Sequence, residues 1–251
     1  MNWFAASHLY AALACAVACG ALGGFVPELI RRLPEPRPEP VGEPASGDKP
    51  AKALPPAPPK EPYTDIAALP RLAAWSALWS ALIGAVIGAS LGWTGALAYL
   101  VPLVPIGAAL ALIDWRTTLL PTRIIAPTYG LLLVLIPVAA LIDSDSHALL
   151  RAVYGWLVLG GWFFVFWFIV PAIWGYGDVR LSGVLGLALG YVGWDQMFFG
   201  LFAIAITGGL GGLVLTGLKI TSRKRFPYGP FMLVGSVLGI AFGPQFVHLG
   251  Y

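Results

Sequence analysis

The chain has 251 residues, of which 58% are hydrophobic and only 11% charged, with a formal net charge of +3. An average soluble domain carries about 25% charged residues, so this composition excludes a soluble globular domain. It also leaves no basic patch of the kind that binds nucleic acid, because the charges lie between long uncharged stretches.

Met1 to Pro27 is uncharged and predicts a first membrane helix. Met1 to Tyr10 has no Lys or Arg, so the basic n-region of a cleaved signal peptide is missing and a retained helix is expected. Cys15 and Cys19 stand four residues apart on one helical face, where they read as small apolar packing groups. Pro34 to Pro62 follows, with proline every few residues and almost no large hydrophobics. Such a segment cannot bury a core and is expected to be an extended linker.

Leu72 to Ile113 is uncharged and long enough for two spans, turning at Gly92-Trp93-Thr94-Gly95. Further uncharged segments run over Ile124 to Ile142, Ala152 to Gly177, Leu181 to Trp194, Gln196 to Leu218 and Phe226 to Tyr251. A span needs roughly 20 apolar residues to cross about 30 Å of hydrocarbon. Barrel strands would alternate polar and apolar residues, and these segments are apolar all round, so helices are expected. The expected fold is an all-α polytopic membrane protein of about eight transmembrane helices. Its parts are a first helix over 1–30, a cytoplasmic proline-rich linker over 31–70 and a seven-helix membrane domain over 71–251. Leu181 to Trp194 is short, about 21 Å as a helix. Either Gly177 to Arg180 joins that helix or the bilayer thins around it.

Orientation follows from basic residues in short loops. If the loop after the first span is cytoplasmic, every Lys and Arg except Arg151 falls on the cytoplasmic side. That parity puts the N-terminus outside.

Ionisable groups near membrane depth are costly and point to function. Most acids belong to the linker or, like Asp143, Asp145 and Asp195, to outer loops. Glu28 sits at the inner end of the first span. Asp114 and Asp178 remain. Each abuts a long apolar segment, and the topology puts both at the cytoplasmic boundary. Two carboxylates close together share one proton. The ionised member can draw a proton from water and the protonated member can donate to a carbonyl oxygen. The plainer readings are a pairing of Asp114 with Arg116 and a helix cap at Asp178.

The local motifs favour chemistry. Around Asp178 the chain reads Gly175-Tyr176-Gly177-Asp178-Val179-Arg180-Leu181, and the glycines permit unusual backbone angles and close approach of another chain. Around Asp114 it reads Asp114-Trp115-Arg116-Thr117 followed by Leu120-Pro121. Phe226-Pro227-Tyr228-Gly229-Pro230-Phe231 precedes the last helix, and Arg32-Leu33-Pro34 follows the first. In this order the motifs resemble the type IV prepilin peptidases, membrane aspartyl peptidases with a Gly-x-Gly-Asp signature. The resemblance implies removal of the basic leader of prepilin-like proteins at the cytoplasmic face, with Asp114 and Asp178 catalytic and Gly175, Gly177 and Arg180 in supporting, substrate-side roles. It implies no cofactor. Its departure is the first cytoplasmic loop. Many members carry two Cys-x-x-Cys pairs there, tied to a metal site and to N-methylation. This loop has neither cysteine nor histidine, so no zinc site can be built from it and the methyltransferase activity is not expected. A proton- or cation-coupled transporter using the same two aspartates is the alternative, although such sites usually lie near the midplane. A scaffold of the same fold without activity is a third reading.

Overall fold

The computed structural model describes residues 3–35, 60–171, 174–218 and 226–248, with side chains from 6 to 245 in those ranges. Most of the proline-rich run, 36–59, and the basic cluster at 219–225 lie outside the described residues. The described residues are all helical or loop. The helices are α1 (Trp3–Gly23), α2 (Val26–Arg31), α3 (Tyr63–Ala67), α4 (Leu72–Leu91), α5 (Leu97–Thr117), α6 (Thr122–Asp143), α7 (His147–Gly155), α8 (Gly161–Ile169), α9 (Tyr176–Val192), α10 (Trp194–Gly217) and α11 (Gly229–His248). A π-helical turn, Trp156–Gly160, joins α7 to α8 in one continuous rod.

Six helical units are long and apolar enough to cross a membrane. With α9 and α11 they make up the expected set of apolar helices. Large hydrophobic side chains point outward all round, among them Leu141, 80% exposed, and Leu213, 72% exposed. Water would penalise such a surface and lipid would not. The chain is a multi-pass, all-α membrane protein.

The fifth span differs from expectation at both ends. The fifth span ends at Ile169, well before Gly177. Pro171 drives Val170 out of the helical region, and Val170 indeed has φ −133° and ψ 65°. That span starts early, at His147, because Asp145 Oδ1 accepts the Ala148 N–H at 3.2 Å and satisfies the helix start. The sixth span does absorb Gly177 to Arg180: α9 has 17 residues, about 26 Å of helix. Of the stretch read as a linker over 31–70, the described ends, 31–35 and 60–70, hold the last residue of α2 and the short helix α3. Glu35 ties those ends together, its carboxylate accepting the N–H groups of Tyr63 at 2.7 Å and Thr64 at 3.0 Å.

Small residues let the helices touch. A Cβ on Gly186 of α9 would lie 2.4 Å from the Gly155 carbonyl oxygen, and one on Gly239 of α11 would lie 2.6 Å from that of Gln196. Helix association in lipid relies on this kind of backbone approach. Cys15 and Cys19 are buried at the contact of α1 with α4, and the Cys19 thiol lies 3.6 Å from the Val101 carbonyl oxygen. Both serve packing there.

The polar groups collect at two ends. At one end, Asp143 accepts the Gly95 N–H at 2.6 Å and the Tyr191 hydroxyl at 2.8 Å, while Arg151 reaches Asp145 at 3.2 Å. Nearby, the Tyr99 hydroxyl donates to the Ala188 carbonyl at 2.8 Å, pinning the start of α5 to the last turns of α9. These two helices therefore run antiparallel, and the end of α5 meets the beginning of α9 at the opposite pole.

Candidate active site

Asp114 lies in the last turn of α5 and is 4% exposed. Its Oδ2 accepts the backbone N–H of Gly229, at the start of α11, at 2.8 Å. The pairing with Arg116 that the sequence left open does not form. Arg116 instead makes a two-pronged contact with Glu61, Nε to Oε2 at 2.6 Å and Nη2 to Oε1 at 2.5 Å. One turn beyond Asp114, Thr118 ends α5 in the left-handed region, φ 52°, and donates its N–H to the Asp114 carbonyl at 2.8 Å. A β-branched residue adopts that conformation only at a cost. The reversal brings Leu120 back beneath α5 and delivers Pro121 as the cap of α6.

Asp178 lies in the first turn of α9 and is 9% exposed. Its Oδ2 accepts the Gly175 N–H at 3.1 Å, and its own N–H donates to the Gly175 carbonyl at 3.0 Å. The carboxylate thus does cap the helix, as the plainer reading held. It also comes within range of the Asp114 charge. The cap and the pair are one arrangement, because capping draws the carboxylate back toward the helix mouth.

The glycines act through space and not through unusual backbone angles. Gly175 has φ −78° and ψ 142°, open to any residue, and Gly177 is helical. Among the described residues Gly92, with φ 65°, is the glycine that adopts the left-handed region. A Cβ on Gly177, however, would sit 2.8 Å from Leu120 Cβ. One on Gly175 would sit 3.2 Å from Asp178 Oδ2, and one on Gly229 would sit 2.9 Å from Asp114 Oδ2. Leu120 also lies 3.3 Å from that Gly229 position, so a single leucine packs against both glycine corners.

Arg180 is turned toward α6. Its Nη1 donates to the Thr122 hydroxyl, its guanidinium carbon lies 5.2 Å from the centre of the Tyr176 ring, and its carbonyl accepts the Tyr129 hydroxyl at 2.9 Å. Of the residues singled out in the sequence, Asp114, Asp178, Gly175 and Gly177 converge, and Arg180 braces the start of α9 against α6. Sequence reasoning missed two partners. Gly229 was visible as part of a motif, but its role as a donor to Asp114 was not. Glu61 stands 55 positions from Arg116, and no local signal links them.

Two carboxylates from different helices, each held through Oδ2 by one glycine amide, can present Oδ1 to a reacting group. Among the described residues neither Oδ1 has a hydrogen-bond donor. That is the donor–acceptor inventory of a general acid–base pair.

Residues 100–213, which contain both aspartates, match the type IV leader peptidase family. The chain is 29% identical over 139 residues to a prepilin leader peptidase/N-methyltransferase of Stutzerimonas stutzeri, covering 55% of this chain and 47% of that protein. It is 29% identical over 142 residues to the protein of the same description from Escherichia coli strain K12, covering 53% and 58%. A Burkholderia pseudomallei strain 1026b protein, again so described, is 30% identical over 143 residues, covering 55% and 44%. The chain thus spans about half the length of the curated relatives it matches. No solved structure matches it. Residues 100–213, which carry Asp114 and Asp178 on neighbouring helix ends, are thus the part of the chain that is similar to the type IV leader peptidase family.

Proposed function

We propose that this protein is an aspartic-type endopeptidase that removes the leader of prepilin-like proteins at the cytoplasmic face of the inner membrane. The observation that carries this reading is the convergence of two buried carboxylates, Asp114 and Asp178, from separate helices at one pole of the bundle. Neither is spent on its nearest cation in sequence, since Arg116 is held by Glu61 and Arg180 by Thr122. Like charges this close share a proton. One aspartate takes a proton from a water, whose oxygen attacks the scissile carbonyl. The other donates its proton to the carbonyl oxygen, and collapse of the tetrahedral intermediate passes a proton to the leaving amine. Each carboxylate keeps its orientation through the glycine amide on Oδ2.

The positive-inside rule, applied to the basic residues, supports a cytoplasmic setting for this pole. The first loop has no cysteine or histidine, so the N-methylation named in the relatives' descriptions is not extended to this chain. The test is co-expression with a candidate prepilin and observation of leader removal. Cleavage by the unsubstituted protein and its loss in Asp114→Asn support the reading. Cleavage that persists in Asp114→Asn removes the dyad from it, and transport of protons or cations without cleavage would replace it.

A further inference from the structure

Each glycine amide that holds an aspartate follows an aromatic residue. Trp174 precedes Gly175, whose N–H reaches Asp178 Oδ2 at 3.1 Å, and Tyr228 precedes Gly229, whose N–H reaches Asp114 Oδ2 at 2.8 Å. The two rings meet edge to face, their centres 4.6 Å apart and their planes at 71°. That is a favoured geometry for an aromatic pair. A peptide unit is planar, so the direction of a glycine N–H follows from the Cα atoms on either side of it. Glycine has no side chain to fix its own end. The preceding side chain is therefore the handle on each amide, and here the two handles touch.

The surrounding packing fixes where they touch. Phe163 of α8, 3% exposed, lies against both rings, 5.3 Å from Trp174 and 5.8 Å from Tyr228, centre to centre. The Tyr228 hydroxyl donates to the Ile204 carbonyl of α10 at 3.2 Å. Gly208, one turn further along α10, gives the ring its seat: a Cβ there would lie 2.3 Å from Tyr228 Cε2. Tyr228, which neighbours the amide on Asp114, also comes within range of the charge on Asp178. Resting on the peptidase reading above, we propose that Trp174 and Tyr228 are a pair of positioning residues whose ring contact sets the distance between Asp114 and Asp178. A shift of either ring turns one glycine amide, and the carboxylate on that amide moves relative to the other. Chemistry that needs both carboxylates at once is sensitive to this distance, with about 100-fold lost for a displacement of about 1 Å.

The experiment measures prepilin cleavage by the full chain in liposomes, with a melting curve for each variant. Trp174→Leu and Tyr228→Leu each remove one ring, and each is expected to lower kcat about 100-fold with KM little changed. The double variant should be no slower than the slower single variant, because one substitution already breaks the contact. Tyr228→Phe keeps the rings together and should restore most of the rate. Gly208→Ala keeps both aromatic residues but drives a methyl group into the seat of Tyr228, and should lower kcat as well. Where a leucine variant fails to insert, Gly208→Ala and Tyr228→Phe decide the matter. Normal kcat in Gly208→Ala or in a leucine variant, even with a lower melting point, makes the rings structural only and overturns the proposal. A raised KM at unchanged kcat, which marks a substrate contact, overturns it too, as do losses that multiply in the double variant. A loss in Tyr228→Phe as large as in Tyr228→Leu assigns the effect to the hydroxyl and overturns it likewise. If the unsubstituted protein cleaves no prepilin, the peptidase reading falls and this proposal with it.

Discussion

Gly177→Ala isolates the effect of one methyl group on the geometry of the pair. Two opposing magnitudes decide its outcome. Alanine in place of a helical glycine should stabilise α9 by about 1 kcal/mol. Its Cβ, however, would lie 2.8 Å from Leu120 Cβ, a separation that Cβ atoms do not tolerate, and Leu120 is buried. Overpacking of this kind costs about 1–3 kcal/mol. The conflict is relieved by moving the first turn of α9, which carries Asp178 as the next residue, away from Leu120. Catalytic pairs lose about 100-fold for a misplacement of about 1 Å. Gly177→Ala is therefore expected to insert normally, to change thermal stability little, and to lower kcat about 100-fold. Leu120→Ala alone leaves a cavity and should cost about 2–3 kcal/mol of stability. Alanine keeps the Leu120 Cβ that meets the new methyl group, so combined with Gly177→Ala it should recover little of the lost rate, whereas Leu120→Gly removes that atom and should recover part of it, a positive coupling in a double-mutant cycle. The assay is prepilin cleavage in detergent or liposomes with a parallel melting curve. Full activity in Gly177→Ala, or strict additivity of its rate effect with that of Leu120→Gly, would refute the argument.

Asp114→Asn and Asp178→Asn should each abolish cleavage in membranes while leaving insertion intact, since each removes the shared proton at nearly constant shape. Glu61→Gln tests the contact that holds Arg116. Hydrogen bonding from Arg116 keeps the Glu61 carboxylate below its usual range, so its stabilisation is complete above the unfolded carboxylate pKa and fades as pH falls through the lowered folded value. The variant should melt slightly lower at neutral pH, by under about 1 kcal/mol for so exposed a pair, and match the parent in strong acid. Asp143→Asn acts at the pole away from the carboxylate pair. It should spare cleavage, yet lower thermal stability by about 1–2 kcal/mol, because Asp143 joins Gly95 and Tyr191; Asp195→Asn is the comparison. For topology, single cysteines at Ser46 and Ser222 in a background lacking Cys15 and Cys19 should be shielded from an impermeant thiol reagent in intact cells, and one at Ser144 should react.

The spans were legible because uncharged runs of sufficient length have one solution in lipid. Even the short sixth span carried its own alternatives, a helix extended over Gly177 to Arg180 or a thinned bilayer, and the helix does start earlier, at Tyr176. The pair Asp114 and Asp178 was legible because acids beside long apolar runs are few. Side-chain partners were harder. Arg116 follows Asp114 by two positions, a spacing that suggested a pair, but successive helical positions do not face one another. Its true partner arrives from a segment distant in sequence. The backbone role expected of Gly175 and Gly177 failed for a related reason. A glycine's sequence context does not reveal whether it serves a dihedral angle or a neighbour, and here the neighbour, Leu120, comes from another helix junction.

The two halves of the site repeat one device. Asp114 closes a helix and is held by the amide of Gly229, which opens another. Asp178 opens a helix and is held by the amide of Gly175 just before it. In each case the missing Cβ is the space the carboxylate occupies, 2.9 Å away at Gly229 and 3.2 Å at Gly175. An arginine or lysine in place of the amide would neutralise the aspartate and hold it ionised, which suits a structural ion pair and defeats proton exchange. A backbone amide fixes the direction of the carboxylate without supplying a full charge, so the pair stays free to share a proton. The same logic explains why the nearest cations are committed elsewhere, Arg116 to Glu61 and Arg180 to Thr122. Releasing Arg116 by Glu61→Gln should therefore have a second effect beyond stability. Arg116 and Asp114 do not share a helix face, so the freed guanidinium would act on the pair only as a nearby positive charge that favours the ionised carboxylate, and kcat should fall although neither aspartate has changed. Normal kcat in Glu61→Gln at neutral pH would show that the commitment of Arg116 is structural only.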